Sequence, residues 1–530
     1  MLEKLVSTRL FWALVMGFRI WNALFVRTSF NPDEYWQSTE VAHRLVFGYG
    51  YLTWEWQKDA QLRGFAHPGL FAGLYKLLKL LNLDSRWAVA YGPRLFQGVL
   101  SAANDFCLYK LSHNYLDAKA AKWTLLCQLF SWFIFYVMVR PFSNCVETLC
   151  TTAALAFWPW KFLEDQAEKK KTDDISPVKR SNRTLALVFA ALGVLFRPTN
   201  AVIWLYPGLV HFLQTHDRAH LMLSVVLPIA LVTTLTMLCI DRLGYGEWTF
   251  VPFNFFKFNV LESKDKLYGE HPWNWYFSQG YPAIVGTTLP LVIAGYLTPS
   301  RKDLGRTIMW TLFVYSNASH KEFRFVLPLL PPAFVYAGYC LCKLERRLYV
   351  QVGERTQRNL LRLAILLLVV PNVLVAYYLS RSHQRAPVEV MDYLADRIRE
   401  NRDVSIHFWT PCHATPYYSF LHQNTSMWFP DCSPANRERP EGCESHQLER
   451  DPRLFLTKLY HLSPSNGQAN DSLFLALPTY VVMYSTMAAK IRPLLADIRF
   501  LETASFFHSD VSGDADSSEV VSSMLVYKRE

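Results

Sequence analysis

Long apolar runs recur along this chain, near 10–26, 88–110, 121–139, 145–160, 184–197, 199–214, 220–240, 283–297, 306–317, 325–342 and 360–380. A helix needs about 20 mostly apolar residues to cross the hydrocarbon core of a bilayer, and in lipid its backbone polar groups must be satisfied within the helix. The pattern therefore predicts an α-helical polytopic membrane protein with about 11 transmembrane helices. The 530 residues are 51% hydrophobic and only 18% charged, which argues against a string of soluble domains. The net charge of +10 does not point to a nucleic-acid partner. Lys and Arg fall in short clusters between apolar runs, as the positive-inside rule produces, and the implied partner is the lipid bilayer. The first run, Leu10–Val26, is too long for a cleaved signal peptide and lacks a small-residue cleavage site, so it reads as an anchor.

The basic clusters set the orientation. Lys169, Lys170, Lys171, Lys179 and Arg180 fall in one loop, Arg301, Lys302 and Arg306 in a second, and Arg346, Arg347, Arg355 and Arg358 in a third. All three lie on one side if 67–83, with Lys76 and Lys79, is an amphipathic helix in the interface rather than a span. That side, with the N-terminus, is expected to be cytosolic. The other side then receives loops 27–87 and 241–282, the turn before Phe325, and everything after about 381. Residues 1–380 read as a membrane module and 381–530 as a separate polar domain. The run 472–485 is short for a span and carries Pro478, so it reads as a buried strand or helix of a small mixed α/β domain. Of ten cysteines, Cys412, Cys432 and Cys443 lie in that polar region, where an oxidising lumen predicts one disulfide and one leftover thiol. No Cys or His spacing suggests a metal site. Sequons start at Asn182, Asn317, Asn424 and Asn470, and the topology leaves Asn424 and Asn470 as the accessible glycosylation positions.

The stretch Ser29–Gln37 (SFNPDEYWQ) places two adjacent carboxylates where the chain leaves its first apolar run. Asn31 suits a helix N-cap, Pro32 the first helical position, and Glu34 the residue that reaches back in a capping box. Capping leaves Asp33 without a specific purpose. Adjacent helical residues do not face each other, so Asp33 and Glu34 are not a glycosidase pair. One catalytic base, Asp33, and one structural acid, Glu34, fit better. The stretch Ser319–Phe325 (SHKEFRF) puts His320, Lys321 and Arg324 on the non-cytosolic side, where basic flanks are disfavoured. A substrate phosphate would account for them through charge-assisted hydrogen bonds; snorkelling side chains are the plainer account. Arg197, in Arg197–Asn200, and Arg140 are further candidates for an anionic headgroup. Arg19, Asn22, Asn104 and Asp105 lie inside apolar runs and read as inter-helix hydrogen bonds. Tyr35, Trp36, Gln37, Trp54 and Trp56 belong to an aromatic-rich loop that fits either a sugar-binding or lipid-binding face or an interfacial belt.

PDEYWQ with the downstream YGYLTWEW, and HKEFRF ahead of a late span, together resemble the dolichyl-phosphate-mannose-dependent mannosyltransferases of glycosyltransferase family twenty-two. The resemblance covers roughly 10–380 and is strongest at 27–56 and 319–332. Some family members carry His where this chain has Asn31. The resemblance implies the GT-C membrane fold, an endoplasmic reticulum location and a lumenal active site. It also implies an inverting transfer with Asp33 as base and His320, Lys321, Arg324 and Arg197 on the donor phosphate. The implied donor is dolichyl phosphate mannose and the implied acceptor a GPI precursor gaining its third, α1,2-linked mannose, with no cofactor or metal. A transferase acting on the dolichol-linked N-glycan precursor would share these motifs. A transporter would show inverted repeats and broken midplane helices, neither of which appears.

Overall fold

The computed structural model describes residues 8–160, 177–298, 301–437, 441–462, 475–510 and 522–530, with side chains from 182 in the second stretch. Each expected apolar run is helical, from Arg9–Phe25 and Arg86–Tyr115 through to Leu330–Gln351 and Glu354–Arg381. Two runs are broken. Ala118–Leu129 ends before Trp132–Val137, and Ser131 Oγ accepts from Ile134 N to cap the second piece. Tyr281–Val285 ends at Gly286, whose φ of +60° favours glycine, before Leu289–Leu297 resumes. By length and composition Arg218–Tyr245, Tyr276–Leu297, Phe323–Gln351 and Glu354–Glu400 can each cross a membrane. Leu227, Leu231, Val232 and Leu235, and likewise Leu363, Leu366, Leu367 and Leu374, are exposed on such helices, as lipid-facing residues are. The 67–83 segment forms the helix Ala66–Leu80, which buries Phe71 and Tyr75 and exposes Leu77 and Leu80.

The chain forms two compact units: Met1–Leu24, Glu55–Leu70 and Pro93–Ala376 make the first, and Phe25–Trp54, Phe71–Gly92 and Tyr377–Glu530 the second. This differs from a simple division at 380. Much of the 27–87 loop belongs with the tail, because Tyr35, Trp36 and Tyr91 share a hydrophobic core with Val388, Met391 and Phe408.

In the first unit, helices meet through a buried ion pair and small residues. Arg19 Nε and Nη2 donate to Asp105 at 2.7 and 2.9 Å, and Gln128 Nε2 adds a third bond at 3.1 Å. Asn22 Nδ2 donates to the Phe135 carbonyl at 2.9 Å. Arg19, Asn22 and Asp105 are thus the inter-helix contacts expected of them. Gly295 lets Leu289–Leu297 lie directly on the backbone of Leu330–Gln351, where a Cβ would meet the Tyr336 carbonyl.

In the second unit a mixed five-stranded sheet has the order β2-β1-β3-β5-β4, with β1 Ser405–Trp409, β2 Ser426–Trp428, β3 Tyr480–Tyr484, β4 Phe500–Phe507 and β5 Ser523–Arg529. β1 pairs in parallel with β2 and β3, and β5 runs antiparallel to β3 and β4. Successive strand residues point to opposite faces. Tyr480 and Val482 pack on one side with Met391 and Leu394 of Ala386–Glu400. Val481 and Met483 pack on the other with Ile491 and Leu494 of Ser485–Asp497. The 472–485 run therefore supplies the buried strand β3, and the tail is the mixed α/β unit expected. Lys169, Lys170, Lys171 and Asn470 lie outside the described residues.

Candidate active site

Asn31 Oδ1 accepts from the Asp33 backbone N–H at 3.0 Å, so Asn31 caps the turn that opens at Pro32. Asp33 is partly exposed at this opening, while Glu34 is fully buried. The two adjacent carboxylates thus lie in different surroundings, one partly exposed and one buried. The helix then widens into a π turn over Tyr35–Thr39 before regular helix resumes at Glu40. Such an extra residue re-aims the side chains around it and is frequent at functional sites.

The segment 412–419 is fixed to this helix. Trp36 Nε1 donates to Thr415 O at 3.1 Å. The buried Glu40 carboxylate accepts from Tyr417 N at 2.8 Å, Ser419 N at 3.1 Å and Ser419 Oγ at 2.6 Å. Burial raises the Glu40 pKa to about 7 despite these donors. His43 Nε2 lies 3.0 Å from His422 Nδ1 nearby, and burial pushes the His43 pKa down to about 3. Cys412 and Cys432 are joined in a disulfide and Cys443 is a buried thiol, one bridge and one leftover as expected. The two sulfurs that lie near His413 in metal-holding geometry are thus bonded to each other.

The HKEFRF residues sit in the first unit around Glu322. Arg324 Nε and Nη2 grip Glu322 at 2.7 and 2.8 Å, and His320 Nε2 lies 3.1 Å from its Oε1. Burial alone would raise the Glu322 pKa, but the Arg324 guanidinium holds it well below the usual carboxylate range. Burial works against charge on His320, yet its bond to Glu322 outweighs this and raises its pKa. Arg197 Nε lies 3.3 Å from Glu147, which also accepts from Asn200 Nδ2 at 3.1 Å. Phe325 lies between the two guanidinium groups, 5.0 Å from Arg197 and 5.3 Å from Arg324. Arg63 pairs with Glu55 at 2.6 Å in the same unit. Arg197, Arg324 and Arg63 are thus each held by a carboxylate, and Arg324 is itself buried.

Several expected site residues take other places. Lys321 is buried and donates to the carbonyls of His271 and Ala318, so it ties a turn together rather than facing an anion. Tyr35 and Trp36 are buried in the core of the second unit, and Trp56 is buried against Phe65 in the first. These rings pack on protein. Gln37 and Trp54 are partly exposed. Asn424 is exposed just before β2. Glu40, His413 and Glu147 escaped the sequence reading. Glu147 carried a signal, an ionisable residue inside an apolar run; the other two find their surroundings only through folding.

The family model of the Alg9-like mannosyltransferases matches residues 10–422. Mannosyltransferase APTG1 of Arabidopsis thaliana is 40% identical over 99% of this chain and 93% of its own. GPI alpha-1,2-mannosyltransferase 3 of Bos taurus is 38% identical over 97% of this chain and 88% of its own. The Homo sapiens protein of that name is 38% identical over 97% and 86%. Among solved structures, ArnT from Cupriavidus metallidurans bound to undecaprenyl phosphate superposes with a TM-score of 0.59 at 12% identity, covering 98% of this chain and 97% of that one. The Archaeoglobus fulgidus oligosaccharyltransferase AglB, in complex with an inhibitory peptide and a dolichol-phosphate, gives 0.53 at 12% identity over 96% and 74%. At this identity the likeness is one of fold, the GT-C fold.

Proposed function

Because the chain belongs to the Alg9-like mannosyltransferase family, we propose that it transfers mannose from dolichyl phosphate mannose to a GPI-anchor precursor, making an α1,2 linkage. The observation that carries this reading is similarity along almost the whole chain to enzymes named for that transfer. In this reading the protein lies in the endoplasmic reticulum membrane, with Asp33 and residues 381–530 in the lumen.

An inverting displacement breaks the bond between the mannose C1 and the phosphate oxygen as a new bond forms from C1 to the acceptor 2-hydroxyl. Asp33 takes the hydroxyl proton, and its partial exposure at a capped helix opening supports that role. Dolichyl phosphate leaves with one more negative charge than it had in the donor. Arg324 and His320, backed by Arg197, are assigned to that charge, because their carboxylate partners hold them in fixed geometry. Fixed cations of this kind can do the work of a metal, so the reading asks for none.

Replacing Asp33 by Asn should abolish mannose transfer in microsomes while protein abundance and membrane insertion stay normal. Full turnover with an amide at 33 would refute the base assignment. Chelation of divalent cations should leave wild-type transfer unchanged; a loss restored by added metal would refute the metal-free reading. Cells lacking the protein should accumulate a GPI intermediate with two mannoses, whereas a stalled dolichol-linked oligosaccharide would move the acceptor to the N-glycan precursor.

A further inference from the structure

Residues 412–419 run from near the end of β1 to the short helix Tyr418–Leu421, and the bonds from Trp36 and Glu40 together with the Cys412–Cys432 disulfide hold them against the helix that opens at Asp33. His413 is the histidine of that segment. Its ring centroid lies 4.7 Å from Trp36 and 5.3 Å from Phe429. Asp33 precedes Trp36 by three positions, so both lie toward one face of the helix. The electrostatics agree, because the Asp33 charge acts directly on the imidazole. His413 also holds a φ of +63°, a left-handed conformation that is unfavourable for a non-glycine residue and persists only where its surroundings impose it.

His413 Nδ1 lies 3.9 Å from the disulfide sulfur Cys432 Sγ, so the Nδ1 edge of the ring lies toward the disulfide and Nε2 is at the other edge. Burial pushes the His413 pKa down to about 4, and the opposing charges of Asp33 and Asp431 do not restore it. The ring is neutral at the pH of the secretory pathway and offers one acceptor near one carboxylate. Adjacent hydroxyls of a hexose are hydrogen-bond donors about one hydrogen-bond length apart, which suits two neighbouring acceptors.

We propose that His413 Nε2 accepts a hydrogen bond from a hydroxyl of the acceptor sugar, next to the hydroxyl that Asp33 deprotonates. This rests on the assignment of Asp33 as base and adds a residue of the C-terminal unit to acceptor recognition. The disulfide serves the site by fixing the place of the ring.

The test is steady-state kinetics of full-length variants in microsomes, varying the glycolipid acceptor and the donor separately. H413F keeps the ring volume and removes the lone pair; it should raise the acceptor KM about tenfold, the worth of one hydrogen bond near the upper end of the neutral range. The donor KM should not move. H413Q places an amide oxygen where Nε2 lies and should recover most of the loss. H413N reaches only the Nδ1 position and should resemble H413F. If H413F does not accumulate, the contrast between H413Q and H413N carries the same test. An unchanged acceptor KM in H413F, or equal loss in H413Q and H413N, would overturn the proposal. Wild-type protein that transfers no mannose would instead overturn the function on which it rests.

Discussion

Glu40 is a carboxylate whose surroundings contradict its usual habit. It is wholly buried, and its partners lie nearly four hundred residues along the chain. Hydrogen bonds from Tyr417 and Ser419 favour the ionised form, but burial dominates and raises the pKa from 4.5 to about 7. Between those values the folded protein holds a proton that the unfolded chain releases. The Glu40 contribution to stability is therefore fully present below pH 4.5 and is lost as pH rises through 7, about 3 kcal/mol over the window, whereas Glu322, His43 and His413 contribute in the opposite direction toward acid pH. Thermal unfolding across that range checks the slope. E40Q should flatten it, since the amide does not titrate and its oxygen can still accept from Tyr417 and Ser419. An unchanged slope in E40Q would assign the effect to another group. The residue scale also shows which side chains were legible. Asp33 stands out in the sequence because capping explains its neighbours and not itself. Lys321 was misplaced because a cation in a motif looks the same whether it meets a phosphate or backbone carbonyls.

Helices were the most legible elements, because an apolar run in a chain of this composition leaves the backbone few ways to satisfy its polar groups. The breaks at Phe130–Ser131 and Gly286 were not, since each depends on how a neighbouring element packs. The π turn at Tyr35–Thr39 was equally hidden, because nothing in YWQST distinguishes it from ordinary helix. Helix contacts in the first unit give a prediction of their own. A side chain at Gly295 would collide with the Tyr336 carbonyl, so G295V should lower stability by about 1–3 kcal/mol through overpacking. Gly17 has nothing within 4 Å of a built Cβ, so G17A should be neutral or mildly stabilising. Equal unfolding midpoints for G295V and wild type would show that the two helices separate at little cost.

At the scale of the whole molecule, orientation is the property most open to test. The proposed orientation has the C-terminal unit in the lumen, and Asn424 is exposed in an Asn-Thr-Ser sequon of that unit. N424Q should remove a glycan that endoglycosidase H cleaves, seen as a mobility shift on a gel. Absence of any glycan at Asn424 in wild type, with residues 381–530 accessible to protease from the cytosolic face, would reverse the topology. The division into units is also a whole-molecule property. The sequence suggested a cut near 380, but the first loop shares its core with the tail. That association is decided by Trp36 and Glu40 meeting partners in 412–419, across a separation that no local pattern records.

What the chain's order of residues determined alone is what short-range physics enforces: apolar helices, a capped helix presenting Asp33, and an α/β tail with a disulfide. Which carboxylates hold the arginines, which aromatic rings are buried, and which histidine packs against Trp36 were decided only by the tertiary structure. Each of those depends on desolvation and on contacts between distant segments, and neither exists until the chain has folded.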